Sequence, residues 1–127
     1  MKEHGGGRII LFGSTNCVES EQDVAHYNAA KAGVQSLARS MALEFAPYGI
    51  TVNAVGPGLV RTPMSEGFVA QGQASPDSFS RINPLGRAGE PSEVASLVRY
   101  LATDAPSFLT GTMIMIDGGQ TIMAPTP

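Results

Sequence analysis

The sequence predicts an α/β fold: one domain over residues 1–127, built on three parallel strands with covering helices. Three observations predict it. Short, strongly apolar runs alternate with helical stretches in the order β-α-β-loop-α-β, the pattern of a parallel sheet covered on both faces. The strand-type runs close in glycine-containing turns. Charged residues make up only 15% of the chain, below the usual share of about a quarter, so much of it is expected to be buried or in contact.

The first strand is "RIILFGS", 8–14, apolar and ending in Gly and Ser. A long helix follows within 23–49, where Ala30, Val34, Leu37, Met41 and Phe45 recur at helical spacing and predict a buried stripe. Pro47 and Gly49 stop it. The second strand, "ITVNAVGPG" at 50–58, is β-branched and breaks at a Gly-Pro-Gly turn. Residues 59–90 are polar and rich in Gly, Ser and Pro, the composition of a lid or binding loop with one or two short helices. A second long helix is expected over 90–103. Pro91 suits its first turn, Glu90 lies near its positive end, and Val94, Leu97, Val98 and Leu101 form its apolar face. The third strand, 111–119, closes in a glycine turn. Both termini read as loose ends. The first strand has no upstream neighbour in the chain to pair with its outer edge, and an uncovered apolar edge invites association.

Composition narrows the function classes. Eight basic and eleven acidic residues give a net charge of −3, without the basic stripe of a nucleic-acid binder. Cys17 is the single cysteine, so no internal disulfide is expected, in keeping with a reducing compartment. No apolar run is long enough to span a bilayer, and the one after Arg8 is too short for a signal-peptide core. A cytoplasmic protein is expected, without a nucleic-acid or membrane partner.

Tyr27 and Lys31 stand four apart in the first helix, hence on one face, and helical side chains lean toward the N-terminus, which tips Lys31 back toward Tyr27. A phenol near an ammonium is a proton-transfer device in principle: at about 4 Å and an effective dielectric of 20, the charge is worth about 4 kcal/mol to the ionised phenol. A Tyr-x-x-x-Lys pair alone is weak, since a solvated helix face is the ordinary reading. Ser14 strengthens it. It ends the first strand, and ligands of open α/β sheets bind at the carboxyl ends of strands. Its hydroxyl could hold a carbonyl or alcohol oxygen while Tyr27 exchanges a proton.

Ser14, Tyr27 and Lys31 at these spacings resemble the catalytic triad of the short-chain dehydrogenase/reductase family. The stretch "YNAAKAGVQSLARSMALEFAPYGITVNAVGPGLVRTPM" is similar to that family's active-site helix, following strand and Pro-Gly turn, and "PLGRAGEPSEVASLVRYLATDAPSFLTGTMIMIDGG" to its last helix and strand. The resemblance covers residues 8–119. It implies a partial Rossmann-type, doubly wound sheet and an NAD- or NADP-dependent oxidoreductase that moves hydride between cofactor and a small carbonyl or alcohol substrate. Tyr27 would be the general acid/base. Lys31 would favour its ionised form and hold the nicotinamide ribose, and Ser14 would position the substrate oxygen. Pro57, Gly58, Val60 and Thr62 match the turn at the nicotinamide end of the cofactor. Residues 63–90 correspond to the substrate loop, with 63–83 its variable part. A homo-oligomer is expected, with residues 91–117 able to support a dimer.

The family's TGxxxGxG turn and NNAG segment have no counterpart here. Gly5, Gly6 and Gly7 precede their strand, whereas a dinucleotide fingerprint follows one. The chain therefore resembles the C-terminal half of such an enzyme. The alternative expectation is a catalytically inactive truncated fragment, or an assembly subunit. Plainer readings serve elsewhere. His26 points off another part of the helix from Tyr27, Cys17 packs a loop, and His4 belongs to the tail. Met113, Met115 and Met123 serve core or subunit contact, and Asp117 serves a strand-ending turn, too few ligands for a metal.

Overall fold

A computed structural model describes residues 1–71 and 81–123. The strands are β1 (Gly7–Phe12), β2 (Ile50–Pro57) and β3 (Met113–Ile116), and the helices α1 (Ala25–Phe45), α2 (Pro63–Ala70) and α3 (Pro91–Thr103). The sheet order is β1-β2-β3, all parallel. Phe12 lies opposite Val55, and Pro57 opposite Ile116. The expected α/β class and element order hold. The third strand, Met113–Ile116, is shorter than the expected 111–119 at both ends: Gly111 has positive φ before it, and Gly118 and Gly119 have positive φ after it.

β2 explains why both faces must be covered. Ile50, Val52 and Ala54 are buried against Ala38 and Ala42 of α1, with Ile9, Leu11 and Val34 around them. Val55 points the other way, to Leu101 of α3 and Ala105. Alternate strand residues thus serve opposite layers. Val52 and Val55 are fully buried, each worth about 1.5–3 kcal/mol relative to exposure. Arg8 ties the α3 layer to the sheet by donating to the carbonyl of Leu101 at 3.0 Å.

The stripe expected on α1 is displaced. Ala30 is exposed and Leu37 is 50% exposed, whereas Ala38 and Ala42 are buried, with Val34, Met41 and Phe45 packed against the core. Val34, Met41 and Phe45 hold as expected, Ala30 and Leu37 do not, and the buried line runs through Ala38 and Ala42. The sheet approaches α1 closely, so small residues take the contact line and larger ones flank it.

The N-terminus is not a loose end. A 3-10 turn at Lys2–His4 folds it back, and the amides of His4 and Gly6 donate to the carbonyl of Met1. The Lys2 ammonium lies 4.1 Å from the Tyr48 ring centroid and 5.5 Å from that of Phe45. Gly6 passes so close to the Gly49 carbonyl that a Cβ would meet it at 2.7 Å. At the other end a 3-10 turn covers Gln120–Ile122, and residues 124–127 lie outside the described residues. Within the expected loop, 63–70 is helical, and 72–80 lies outside the described residues. No helix among the described residues is long and apolar enough to cross a membrane.

Candidate active site

The carboxyl ends of β1 and β2 are held side by side. The Gly13 amide donates to the Val55 carbonyl at 2.8 Å, which carries the ladder one residue past β1. Ser14 follows, 8% exposed. It caps a short 3-10 turn, Thr15–Cys17, by accepting from the Asn16 amide at 3.2 Å. Asp23 has φ of 64°, a left-handed conformation that aspartate tolerates better than most residues. It turns the chain just before α1 begins at Ala25.

Tyr27 lies in the first turn of α1 and is 41% exposed. Lys31 follows one turn later, half-buried. Its Nζ lies 5.6 Å from the Tyr27 ring centroid and donates to the carbonyl of Phe12 at 3.1 Å. The lysine thus stands between the tyrosine and the end of β1, two residues before Ser14. Cys17 reinforces this join. Its thiol donates to the Lys31 carbonyl at 2.9 Å, and its sulfur accepts from the Ser14 amide at 3.4 Å. That is the loop-packing role expected of it. His26 is exposed.

Two asparagines were not anticipated. Asn16 is buried, and its amide nitrogen donates to Asn28 Oδ1 at 2.7 Å. Asn28 in turn donates to the Glu21 carbonyl at 2.8 Å. No motif flags them, since Asn in a loop and Asn on a helix are both ordinary. Only the fold brings residues 12 apart in sequence into contact.

Beside this cluster, Pro57 ends β2 and the Gly58 amide donates to the Ile116 carbonyl at 3.1 Å. Val60 pairs with Gly89 in an isolated parallel bridge. Thr62 and Ser65 cap the start of α2 reciprocally. The Thr62 amide donates to Ser65 Oγ at 2.9 Å and the Ser65 amide to Thr62 Oγ1 at 3.3 Å. The four residues form a bracket from the end of β2 to α2.

A third set of contacts closes the site's far side. Gln120 Nε2 donates to Glu19 Oε1 at 2.6 Å, joining the turn after β3 to the loop after β1. Burial opposes the charge of Asp117, but donors from the Thr121 amide and hydroxyl and the Gly119 amide outweigh it and hold the carboxyl below its ordinary range. This is the expected strand-ending turn. Glu93, gripped by both terminal guanidinium nitrogens of Arg87 and by the Glu90 amide, falls to a pKa of about 2. A shallow pocket of about 90 Å³ lies between Val60, Asn83, Arg87 and Gly118. Ser14, Tyr27 and Lys31 do not line it. Among the described residues no group of three or more His, Cys, Asp or Glu is arranged to hold a metal.

A family model described as enoyl-(acyl carrier protein) reductase matches residues 1–121. The chain is 44% identical over 124 residues to a tropinone reductase homolog of Arabidopsis thaliana, covering 98% of this chain and 47% of that protein. It is 36% identical over 125 residues to levodione reductase of Leifsonia aquatica, covering 94% and 47%. The solved structure of ElxO with NADP bound superposes with a TM-score of 0.88 at 32% identity, over 97% of this chain and 50% of that one. The chain spans about half the length of the curated relatives it matches.

Proposed function

The chain belongs to the short-chain dehydrogenase/reductase family, and on that premise we propose that it carries the proton-transfer site of an NAD(P)-dependent oxidoreductase acting on a small carbonyl or alcohol. The observation that carries this reading is the position of Lys31, bonded to the Phe12 carbonyl and 5.6 Å from the Tyr27 ring. Tyr27 donates its phenolic proton to the substrate oxygen when a carbonyl is reduced and takes it back when an alcohol is oxidised. Ser14 holds that oxygen at the end of β1. Lys31 presents its charge to Tyr27.

The donor set fits the nicotinamide-ribose end of the cofactor. An ammonium has three N–H groups. Phe12 takes one, which leaves two for ribose hydroxyls. Thr62 Oγ1 accepts from Ser65 and keeps its own proton for a ligand. Pro57, Gly58 and Val60 offer backbone groups beside it. When bound, the nicotinamide ring supplies or accepts the hydride. A glycine-rich turn following a strand and opening a helix, the usual pyrophosphate cradle, does not occur in residues 1–127.

Titration with NAD(H) and NADP(H), followed by fluorescence and thermal shift, tests this. Saturable binding supports it, and a folded chain that binds neither at millimolar concentration is not a catalyst by itself.

A second reading is favoured by the sheet. β1 has one neighbour, β2, among the described strands. A chain that assembles through that edge, and turns over nothing alone, would have the same sequence motifs.

A further inference from the structure

We propose that Asn28 and Asn16 are positioning residues that fix the Ser14 hydroxyl as a hydrogen-bond acceptor, so that the resting site takes an alcohol O–H in preference to a ketone. This rests on the reading of Ser14 as the group that meets the substrate oxygen.

The polarity of the chain of bonds is set at its far end. The Glu21 carbonyl can only accept, so the group of Asn28 that faces it at 2.8 Å is the NH₂. Asn28 Oδ1 therefore faces Asn16, and Asn16 must present its own NH₂ there, at 2.7 Å. That leaves Asn16 Oδ1 toward Ser14 Oγ, 2.9 Å away. An amide oxygen has no proton to give, so the proton in that bond is the serine's. The Asn16 backbone amide also donates to Ser14 Oγ, at 3.2 Å.

A hydroxyl has one proton and two lone pairs. In Ser14 the proton is committed to Asn16 Oδ1 and one lone pair to the Asn16 amide. One lone pair remains. An alcohol can donate its O–H to that lone pair and still accept from the Tyr27 phenol. A ketone has only lone pairs to offer. To engage Ser14 it must draw the serine proton away from Asn16 Oδ1. Asn16 is 5% exposed, so its oxygen would be left without a donor, and a stranded buried acceptor weakens binding by about tenfold.

The test uses the isotopically labelled chain, with cyclohexanol and cyclohexanone as an isosteric probe pair. In equal parts of H₂O and D₂O, the Ser14 Cβ resonance should split into two lines, the mark of a hydroxyl proton that exchanges slowly because it is held. Cyclohexanol should shift the Ser14 and Asn16 side-chain signals at about tenfold lower concentration than cyclohexanone. In Asn28→Leu the two lines should merge and the preference fall to within about twofold. A single averaged Ser14 line in the unaltered chain overturns the proposal, as does equal or better binding of the ketone, or no response to either probe. The readouts on the unaltered chain decide it even if the variant does not fold. No cofactor is involved. A chain that shows both signatures, yet turns over equally well as Tyr27→Phe, keeps this inference and loses the proposed function. The reverse pattern does the opposite.

Discussion

The Lys31 ammonium donates to the backbone carbonyl of Phe12 across 3.1 Å. The bond joins the second turn of α1 to the last residue of β1, and so fixes the helix that carries Tyr27 against the strand that leads to Ser14.

Replacing Lys31 with Met keeps the aliphatic stem and removes the tether. The bond is partly solvated, so its loss should destabilise the chain by about 0.5–1 kcal/mol, a few degrees in Tm. Thermal unfolding of the two chains checks this. An unchanged Tm would mean that the ammonium holds nothing in place.

Gly58 should tolerate no side chain. An added Cβ would lie 2.8 Å from Asp117 Cα and 2.9 Å from its Cβ. The obstacle is backbone, not a flexible tip. Gly58→Ala should therefore destabilise by about 1–3 kcal/mol, measured by chemical unfolding. A neutral effect would show that the turns after β2 and β3 are not in contact. The residue matched to cofactor binding thus also has a packing role that exists without cofactor.

Acid should act through Glu93. Its carboxyl falls to about 2 in the fold from an ordinary 4.5. A depressed acid contributes stability that is fully present above its unfolded value and disappears as pH drops toward its folded one. The Tm gap between the native chain and Glu93→Gln should thus be constant above about pH 5 and shrink between about 4.5 and 2. A gap independent of pH over that range would contradict the Arg87–Glu93 pairing.

The free edge of β1 should drive self-association. Sedimentation at increasing concentration should show growing oligomer, reduced by Phe12→Lys, since charge on an edge strand opposes pairing. A clean monomer at high concentration would count against it.

Much of the fold was legible because burial writes periodicity into sequence. β2 is buried along most of its length and its apolar run stands out. α3 shows its face through Val94, Leu97, Val98 and Leu101, with Leu101 buried as expected. The buried face of α1 was legible only in part, through Val34, Met41 and Phe45. Ala38 and Ala42 carry the contact with the sheet, and alanine gives little hydropathy signal against the larger Leu37 beside it. The ordered N-terminus was missed for a related reason. Its order comes from Lys2 meeting Phe45 and Tyr48, a contact between distant residues that no local pattern encodes. In the candidate site, Ser14, Tyr27 and Lys31 could be named because their spacing is a motif. Asn16 and Asn28 could not, because their meaning lies in the direction of their hydrogen bonds. So too for Gln120 and Glu19, which meet only once the turns after β1 and β3 lie together.

The rate of hydride transfer with Tyr27 replaced by Phe tests the proton-transfer role most directly, measured by nicotinamide absorbance in the state of the protein that turns over. General acid–base groups contribute about 10²–10⁴-fold, so the expected result is a loss of at least about 10²-fold with Tm unchanged. A loss of less than about threefold would contradict the assignment of Tyr27 as the proton donor.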